Sequence, residues 1–584
     1  MSEESPPTWR GRVSPPASYL PQLPSVVRQT LWSRGMSETT AGAWLNPGAV
    51  QMPDDEAWRD LLAISDRLLE ARARDEGVCL WGDFDVDGLC ATAILRSGLR
   101  RIGIDPLVRV PSRAEGHGLH VETIHALPPS CAVLLSCDTG TNDLAAIRAA
   151  QARGITVLIT DHHTQIGAHP PCLVANSANL PLDHPYARLG GAAVAYLLAR
   201  LLLRRRGLAT DANSLLDLAA LGLIADVAPQ TLIARALLHR GLPRLYRRPR
   251  LGITALLRQA DATPLGQDTQ TISFSLAPPL NAAARLADPG LALALLEAEQ
   301  PQEAAAHAST LWRLNLERRR LMRELLAETL PQAQGQAAAG EAAIVIAGQN
   351  WHPGILGPTA GQICETYGRP TLLLRQEGAF TYGSARAPLG PNLAAALNQV
   401  AGCLERFGGH AGAAGLRLRT ERLPVFIPAF RAALAGQGHP LLGEPTVDAE
   451  APWSRLTGDP RALAEEVSLL APFSRDFPAP VLASGPARLL RVRRLGADQT
   501  TARLTWEDGR GGAVDLLWFK APNNLPALGS WAMLAYTIQV VCWHGSEKIE
   551  AHLSALAPVA VDHIPQLPSP PRHGHTTGAV ARVG

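Results

Sequence analysis

The feature that most constrains the fold is an acidic turn near residue 85, between an apolar run and an apolar segment with helical spacing. The turn Asp-Phe-Asp-Val-Asp-Gly at 83–88 follows Val-Cys-Leu-Trp at 78–81 and precedes the largely apolar residues 89–99. The first run predicts a buried strand, and the spacing after the turn predicts a helix. Sites in α/β sheets collect at the carboxyl ends of strands, so the turn predicts a site at a sheet edge.

The Asp-x-Asp-x-Asp-Gly pattern is also how a calcium-binding EF-hand loop begins. Such a loop needs a bidentate Glu at its twelfth position, and the twelfth residue counted from Asp83 is Ile94. The EF-hand interpretation is therefore excluded.

Further apolar segments also end in side chains that can bind a metal. The runs at 131–137 and 155–160 are each followed by an aspartate, two histidines follow the second one, and another aspartate ends the helical stretch at 190–225. Strands separated by helices of this length predict a parallel, doubly wound sheet. The residues expected at one edge of that sheet are Asp83, Asp85, Asp87, Asp138, Asp161, His162, His163 and Asp226.

A pocket with this many carboxylates needs positive charge, because mutual repulsion would otherwise raise their pKa values. Asp oxygens with one or two imidazoles suit Mn²⁺ or Mg²⁺, and the set has no Cys to favour Zn²⁺. Two ions bridged by one carboxylate would activate a water for phosphoryl displacement. Two plainer interpretations stay open: Asp138 alone could be a helix N-cap, and the His pair could be a solvated surface feature.

Composition narrows the class of protein. The 584 residues predict three or four domains, and the net charge of +2 gives no sign of a nucleic-acid partner over the whole chain. The eight cysteines form no CxxC pair, which predicts buried thiols in a reducing compartment. No stretch reaches about 18 uninterrupted apolar residues. We therefore predict a cytoplasmic protein without membrane contact.

Changes of pattern along the chain divide it into six segments. Alternating strands and helices occur twice, and an Ala-, Leu-, Glu- and Arg-rich stretch between them predicts a long helix. Period-two alternation then predicts a small antiparallel barrel, and a Pro-, His- and Gly-rich end predicts disorder. The segments are an N-terminal extension at 1–50, an α/β region at 51–290, a connecting helix at 291–333, a second α/β region at 334–442, a barrel at 443–562 and a disordered tail at 563–584.

Ordered motifs carry a resemblance to a known family. Four of them resemble the DHH phosphoesterase superfamily: GDFDVDG at 82–88, SCDTGT at 136–141, TDHHT at 160–164 and GLIADVAP at 222–229. The others resemble its RecJ family of bacterial single-stranded-DNA exonucleases: PSRAEGHGL at 111–119, LAPPLNAAARLADP at 276–289, WHPGILG at 351–357, GSAR at 383–386 and FGGHAGAAG at 407–415. The resemblance covers about residues 30–560 in the family's order.

The resemblance implies an α/β fold with two α/β domains, DHH at 51–290 and DHHA1 at 334–442. Their parallel or mixed sheets would be joined by a long helix, and an OB-like β-barrel would follow at 443–562. Aromatic residues of the barrel either stack on bases or fill its core; they are Trp518, Phe519, Trp531, Tyr536 and Trp543.

The resemblance also implies roles for single residues. Positions that match metal ligands, or neighbours that orient them, are Asp83, Asp85, Asp87, Asp138, His162 and Asp226. The expected catalytic residues are Asp138 as the bridge between ions, His163 facing the scissile phosphate, and Asp161 as a ligand or as the carboxylate that orients an imidazole. The expected substrate contacts are Arg113, His117, Asn281, Arg285, Ser384, Arg386 and His410.

The chain departs from the family pattern at four places. Trp81 stands where many relatives carry a His that can bind the first ion, Pro279 where the family often has Arg, and Ala284 where it often has Gly. Ser-Arg-Asp at 474–476 replaces a Gly-rich turn. Because the acidic motifs are retained, we expect these changes to modify activity and not to abolish it.

The implied function is a metal-dependent 5′-3′ exonuclease that degrades single-stranded DNA in recombination and repair by two-metal hydrolysis, with Mn²⁺ or Mg²⁺. It would be a monomer, with a single-strand-binding protein or a helicase as candidate partners. Two alternatives stay open: a DHH-type phosphodiesterase for short oligonucleotides or cyclic dinucleotides, and a non-catalytic single-strand-binding replication protein.

Overall fold

The computed structural model describes residues 14–54, 57–247, 249–437, 446–496, 499–522, 524–543 and 546–559. The segment 563–584, for which the sequence predicts disorder, lies outside the described residues. The helices are α1 Ser25–Ser33, α2 Glu38–Leu45, α3 Arg59–Ala73, α4 Val86–Arg101, α5 Val121–His125, α6 Leu144–Ala152, α7 Gly191–Arg205, α8 Leu216–Ala225, α9 Leu232–Arg247, α10 Leu251–Gln259, α11 Ala277–Leu286, α12 Gly290–Glu297, α13 Pro301–Ala338, α14 Pro353–Tyr367, α15 Leu393–Gln399, α16 Leu423–Ala435, α17 Trp453–Gly458 and α18 Pro460–Ser468. The strands are β1 Gly77–Trp81, β2 Leu107–Arg109, β3 Cys131–Cys137, β4 Thr156–Asp161, β5 Leu173–Asn176, β6 Ile344–Gln349, β7 Thr371–Glu377, β8 Phe380–Arg386, β9 Arg406–Gly409, β10 Ala413–Arg419, β11 Ala449–Glu450, β12 Leu482–Leu495, β13 Thr501–Glu507, β14 Ala513–Trp518, β15 Trp531–Trp543 and β16 Ser546–Pro558.

The first sheet is parallel throughout, in the order β2-β1-β3-β4-β5. The chain leaves β1 toward β2 on one side and then returns to place β3 on the other side of β1. The order therefore reverses between β1 and β3, and ligands bind at such a switch point, beyond the carboxyl ends of the strands. This confirms the predicted doubly wound sheet and places the acidic turn at its switch point.

Apolar clusters cover both faces of this sheet. On one face, β1 and β3 side chains join residues of α4, α7 and α8 in the largest core cluster. On the other face, Trp81 packs with Cys79, Leu134 and Ile147 beneath α5 and α6. Trp81 is fully buried there, and its side chain belongs to this apolar cluster and not to the acidic edge.

The two α/β domains are joined by α13, a helix of 38 residues, which is about 57 Å long at 1.5 Å per residue. It packs on α10, α11 and α12 of the first domain and on α14 and β6 of the second. The second sheet is mixed, in the order β6-β7-β8-β10-β9, and only its β6–β7 pair is parallel. The predicted pair of α/β domains joined by a long helix is confirmed.

A closed five-stranded barrel follows the second domain. Strands β12, β13, β14, β16 and β15 pair in that order, and β12–β15 pairing closes the circle. Tyr536 is buried in its core, Trp518 and Trp531 are half-buried, and Phe519 is 53% exposed with its ring edge against His552. The predicted OB-like barrel is thus confirmed, and its aromatic residues divide between core and surface. The Trp543 side chain lies outside the described part of the chain.

The N-terminal helices share a core with the segment that leads into the barrel. Tyr19, Leu31 and Trp44 pack with Leu470 and Phe477, and an ion pair of 2.8 Å joins Arg34 to Asp448. The part of the predicted N-terminal extension that the structure describes is therefore packed from α1 onward.

The side chain of Arg235, on α9, connects this shared core to the first domain through hydrogen bonds. Its side chain is fully buried and its guanidinium lies 4.7 Å from the Trp44 ring centroid. It donates hydrogen bonds of 2.7–3.1 Å to the carbonyls of Trp44, Leu470, Ala471 and Pro472 and to Gln230 Oε1. Burial without a carboxylate lowers the pKa of Arg235 to about 9. One side chain thus satisfies acceptors from three separate parts of the chain.

No helix among the described residues is long and apolar enough to cross a membrane.

Arg235→Met should lower stability by about 3–5 kcal/mol, because it leaves several buried carbonyls without donors. The measurement is the midpoint of thermal and urea unfolding. The matched control is Arg258→Met, at an exposed arginine of α10, which should stay within about 0.5 kcal/mol of the parent protein. Equal midpoints for the two variants would contradict the role given to Arg235.

Candidate metal centre

The carboxyl ends of β1, β3 and β4 bring their acidic side chains to one edge of the first sheet. Asp83 and Asp138 follow β1 and β3 and are each 1% exposed, and Asp161 ends β4 with the same exposure. Asp85 caps α4, since its side chain accepts a hydrogen bond of 3.0 Å from Gly88 N. Asp138 has φ of +61°, a strained value for a non-glycine residue that turns its side chain toward the site. Helix α6 begins at Leu144 after Asp143, so Asp138 is not its N-cap.

Three overlapping groups of side chains at this edge have ligand atoms within 4.8 Å of one another. Asp138 belongs to two of the groups, and so does His162. His162 Nε2 lies 3.0 Å from Asp138 Oδ1 and 3.8 Å from Asp87 Oδ2, while Nδ1 lies 3.8 Å from Asp226 Oδ2. The groups are Asp83 with Asp85 and Asp138, Asp138 with His162 and His163, and Asp87 with His162 and Asp226.

The N-terminus of α7 fixes the orientation of Asp87. Its two carboxylate oxygens accept hydrogen bonds of 2.7 Å from Gly191 N and 3.0 Å from Ala192 N, where the helix dipole also favours negative charge. A Cβ at Gly191 would overlap the carboxylate of Asp138, and one at Gly222 would overlap that of Asp87. The two glycines therefore leave the space that these carboxylates occupy.

Asp161 is saturated by hydrogen bonds from its neighbours. Its Oδ1 accepts from the backbone of His162 and His163 and lies 2.8 Å from His163 Nδ1, and its Oδ2 accepts from Thr141 N at 3.0 Å. Burial alone would raise the pKa of Asp161, but the bond to His163 and its charge hold it far below the usual range. Burial alone would lower the pKa of His163, and Asp161 raises it to about 9. Asp161 is thus placed to orient His163, which keeps Nε2 for another partner.

Asp138, Asp85 and Asp226 have fewer donors than Asp161, and their pKa values move the opposite way. Burial, and then the charges of Asp87 and Asp85, raise the pKa of Asp138 well above its usual value. Burial, then Asp83 and Asp87, raise that of Asp85. Burial and then Asp87 raise the pKa of Asp226 to about 7. Positive charge placed between these groups would reverse all three shifts.

Divalent cations fit this donor set. Asp83 Oδ1 is buried and has no hydrogen-bond partner in the described part of the protein. Each of the three groups offers carboxylate oxygens, imidazole nitrogens or both, and none contains sulfur, which suits Mg²⁺ or Mn²⁺ better than Zn²⁺. Two neighbouring ion positions that share Asp138 are compatible with the overlap of the groups.

Arginines without acidic partners stand beside the acidic edge. Arg113 lies 5.5 Å from the ring centroid of Phe84, in the acidic turn, and Arg285 on α11 donates a hydrogen bond of 3.2 Å to Gly354 O. Burial, then the charges of Arg113, Arg318 and Arg386, lower the pKa of Arg285 to about 9. Among the described residues, none of these four arginines forms an ion pair with a carboxylate. Such a cluster of unneutralised guanidinium groups is suited to bind phosphate.

The second domain contributes to the same cleft. The rings of His410 and His163 are nearly parallel, with centroids 5.9 Å apart. Arg386 donates hydrogen bonds to Ser384 Oγ at 3.3 Å and to Ala385 O at 2.8 Å, and a Cβ at Gly357 of α14 would lie 2.7 Å from its Nη2. The β8 residues Ser384 and Arg386 therefore lie against the first turn and a half of α14, close to the arginines of the first domain.

The remaining predicted contacts take different positions. His117 Nδ1 lies 2.9 Å from Asp83 Oδ2, and its ring centroid lies 4.1 Å from that of Phe84 with the planes tilted by 45°, so it adjoins the acidic group directly. Asn281 lies one turn before Arg285 on α11, on the same face of the helix. Pro279 and Ala284, the two departures on that helix, are buried in its packing.

Sequence reasoning missed Gly191, Gly222 and Arg318. The pair Gly190-Gly191 before an apolar helical run was a usable signal, because a helix N-terminus presents free N–H groups to an anion. The contact of Gly222 with Asp87 depends on the packing of α8 on α4 and has no local signal. Arg318 belongs to an Arg-rich run of α13 whose direction depends on how the long helix packs.

Three family descriptions match the chain in the order of its domains. "DHH family, N-terminal domain" matches residues 77–223, "DHHA1 domain" matches 340–436 and "RecJ OB domain" matches 447–555. Each match falls on one of the three sheets described above.

Curated relatives and solved structures give the same family. The "Single-stranded-DNA-specific exonuclease RecJ" of Thermus thermophilus is 33% identical over 509 residues, which cover 84% of this chain and 72% of that protein. The Bacillus subtilis protein of the same name is 29% identical over 82% of this chain, and the match spans 61% of its own length. The crystal structure of Thermus thermophilus RecJ in complex with Mn²⁺ superposes with a TM-score of 0.79 at 28% identity, covering 93% of this chain and 78% of that one. With three domain matches in order and one third identity to a relative over most of its length, this chain belongs to the RecJ family of the DHH phosphoesterases.

Proposed function

We propose that this chain is a metal-dependent exonuclease that degrades single-stranded DNA from its 5′ end in recombination and repair. The observation that carries the proposal is the overlap of three ligand groups at Asp138 and His162, beside a cluster of arginines without acidic partners. A phosphodiester held by those arginines would lie against the acidic edge. The curated relatives named above are single-stranded-DNA-specific exonucleases.

Two Mn²⁺ or Mg²⁺ ions are the cofactors that we infer. We assign Asp83, Asp85 and Asp138 to one ion and Asp87, His162 and Asp226 to the other, with Asp138 as the bridge. When bound, such a pair of ions supplies an activated water and neutralises charge on the phosphate that is cleaved. The carboxylates supply the negative charge that holds the ions, and Asp87 is kept in place by α7.

The protein's own groups position the strand and handle its charge. His163, oriented by Asp161, donates through Nε2 to a phosphate oxygen and is held in its charged form by that carboxylate. A phosphate on the 5′ side is bound by Arg113, Arg285 and Arg386. Ser384 and His410 of the second domain close the cleft. Holding one phosphate against the arginines fixes which bond reaches the metal centre.

Long single strands are the substrate that we infer. The barrel that matches the RecJ OB domain offers an outer face on which a strand can continue beyond the cleft. A phosphodiesterase for short oligonucleotides or cyclic dinucleotides would have no use for that barrel. A non-catalytic strand-binding protein would have no use for a complete set of ligand groups. We further propose that the chain acts as a monomer in the cytoplasm, with a single-strand-binding protein or a helicase as partner.

Asp138→Asn should abolish release of nucleotides from single-stranded DNA, because it removes the charge shared by both ion positions. It should also reduce the rise in thermal midpoint that Mn²⁺ gives the parent protein, since ligand binding stabilises by mass action. Asp183→Asn, at an exposed aspartate, is the matched control and should keep both properties. Full nuclease activity in Asp138→Asn would refute the two-metal assignment.

Asp161→Asn should lower the pKa of His163 from about 9 toward its usual value near 6.5, because the hydrogen-bonded negative charge is lost. A nuclear magnetic resonance titration of the His163 ring in EDTA measures this. The exposed His169 should not shift. The direction of the pKa shift decides the outcome. A pKa of His163 that stays unchanged or rises would contradict the orienting role of Asp161.

Arg493 and Arg503 should contribute to binding on the barrel. They lie directly opposite each other in the β12–β13 pairing and both are exposed, an arrangement of like charges that destabilises a sheet. The double change to Ala should therefore raise the thermal midpoint slightly, yet weaken binding of a long oligo(dT) in EDTA. The slope of log affinity against log salt should fall by about 1.4 if both contact phosphates. If the double variant binds oligo(dT) with unaltered affinity, this face of the barrel is excluded as a DNA contact.

A further inference from the structure

The long helix α13 carries a concentration of positive charge, of which only Arg318 belongs to the arginine cluster of the metal cleft. Five arginines occur within residues 313–323, and this part of α13 forms one wall of a groove of about 740 Å³ whose other wall includes Gln362 of α14. The arginines are Arg313, Arg318, Arg319, Arg320 and Arg323.

Most of this charge lacks a counterion among the described residues. The two glutamates of this stretch, Glu317 and Glu324, both pair with Arg320. Arg313, Arg319 and Arg323 are exposed and form no ion pair in the described part of the chain. Guanidinium groups this close together repel one another, so the groove is suited to a polyanion.

Arg318 links the groove to the phosphate-binding arginines. It lines the groove, while its guanidinium is held by Asn315 Oδ1 at 2.8 and 3.2 Å from Nη2 and Nε. Asn315 is fully buried, so this guanidinium has a fixed direction. Helix α11, which carries Arg285, packs on α13, and the charge of Arg318 contributes to lowering the pKa of Arg285. Arg318 therefore lies between the arginines of the cleft and the exposed arginines of α13.

The lining of the groove contains apolar and neutral polar groups besides its arginines. Leu316 is 50% exposed on the same wall as the arginines, and Gln362 offers a neutral donor and acceptor on the other. Single strands contact three kinds of group: arginines that bind phosphates, apolar side chains that pack on a sugar or base face, and amides that bond to a base edge. An acidic peptide would use the charges alone.

We propose that the α13–α14 groove binds the backbone of single-stranded DNA outside the metal cleft, as a second contact that extends the strand's path along the long helix. The proposal rests on the proposed function, since it assumes that the strand held beside Arg285 is DNA. It assigns Arg313, Arg319 and Arg323 to phosphates that are not being cleaved. Their role is to hold a long strand, and cleavage of a short one does not involve them.

The test is the triple variant Arg313→Ala, Arg319→Ala, Arg323→Ala. Its matched control is Arg148→Ala, Arg258→Ala, Arg422→Ala, which removes three exposed arginines elsewhere. In EDTA, affinity for a long oligo(dT) is measured by fluorescence anisotropy at several salt concentrations. We expect the groove variant to bind more weakly, with a salt slope smaller by about 2, because each lost phosphate contact removes about 0.7. The control should keep the slope of the parent protein.

Hydrolysis with Mn²⁺ separates this proposal from the proposed function. The groove variant should cleave a short 5′-phosphorylated oligonucleotide at the parent rate and a long strand at reduced efficiency at low concentration. A parent protein that binds DNA but cleaves neither substrate would refute the proposed function and leave the binding comparison valid. A salt slope equal to that of the parent would overturn the groove proposal. So would a groove variant that loses binding of poly-glutamate but not of DNA, which would assign the groove to an acidic protein.

Discussion

Repulsion among carboxylates buried at one sheet edge is the constraint on which the rest of this structure depends. Parallel strands bring their carboxyl ends together, and here each end carries aspartate with about 1% of its surface exposed. The chain deals with the charge in two ways. Asp87 and Asp161 receive backbone and imidazole N–H groups, whereas Asp83, Asp85 and Asp138 receive few donors. The hydrogen-bonding pattern therefore separates the carboxylates whose charge the fold itself stabilises from those whose charge it leaves largely unbalanced.

Cationic groups surround this edge without neutralising the charge of its carboxylates. The arginines of α11, β8 and the loop after β2 form no ion pair with a carboxylate in the described part of the chain, and burial lowers their pKa values. The acidic cluster and the arginine cluster are each unfavourable alone, because the charges within each cluster repel one another. The proposed substrate, a phosphodiester with its metal ions, would complement both clusters, and its binding would stabilise the folded protein.

Much of the fold followed from local patterns in the sequence. The parallel sheet and the acidic edge could be predicted because β1, β3 and β4 are short apolar runs with an Asp at or just after their ends. Such a pattern can be recognised from neighbouring residues alone. The closed barrel followed from period-two alternation. The spaces at Gly191 and Gly222, the separation of Trp81 from the acidic edge and the direction of Arg318 could not be predicted, because each depends on how one element packs on another that is distant in sequence. The resemblance supplied the roles of single site residues and the expected substrate contacts, whereas the hydrogen bonds to Asp161 and Asp87 are visible only in the structure.

The core that the N-terminal helices share with the segment before the barrel has a consequence for how the protein is made. Tyr19, Leu31 and Trp44 pack on Leu470 and Phe477, which are more than 400 residues later in the chain. A ribosome adds about 5–20 residues per second, so the apolar faces of α1 and α2 wait on the order of 20–90 s for the segment that covers them. During that time both α/β domains are completed, while the apolar faces of α1 and α2 stay uncovered. In that interval these two helices offer holding chaperones an apolar binding surface.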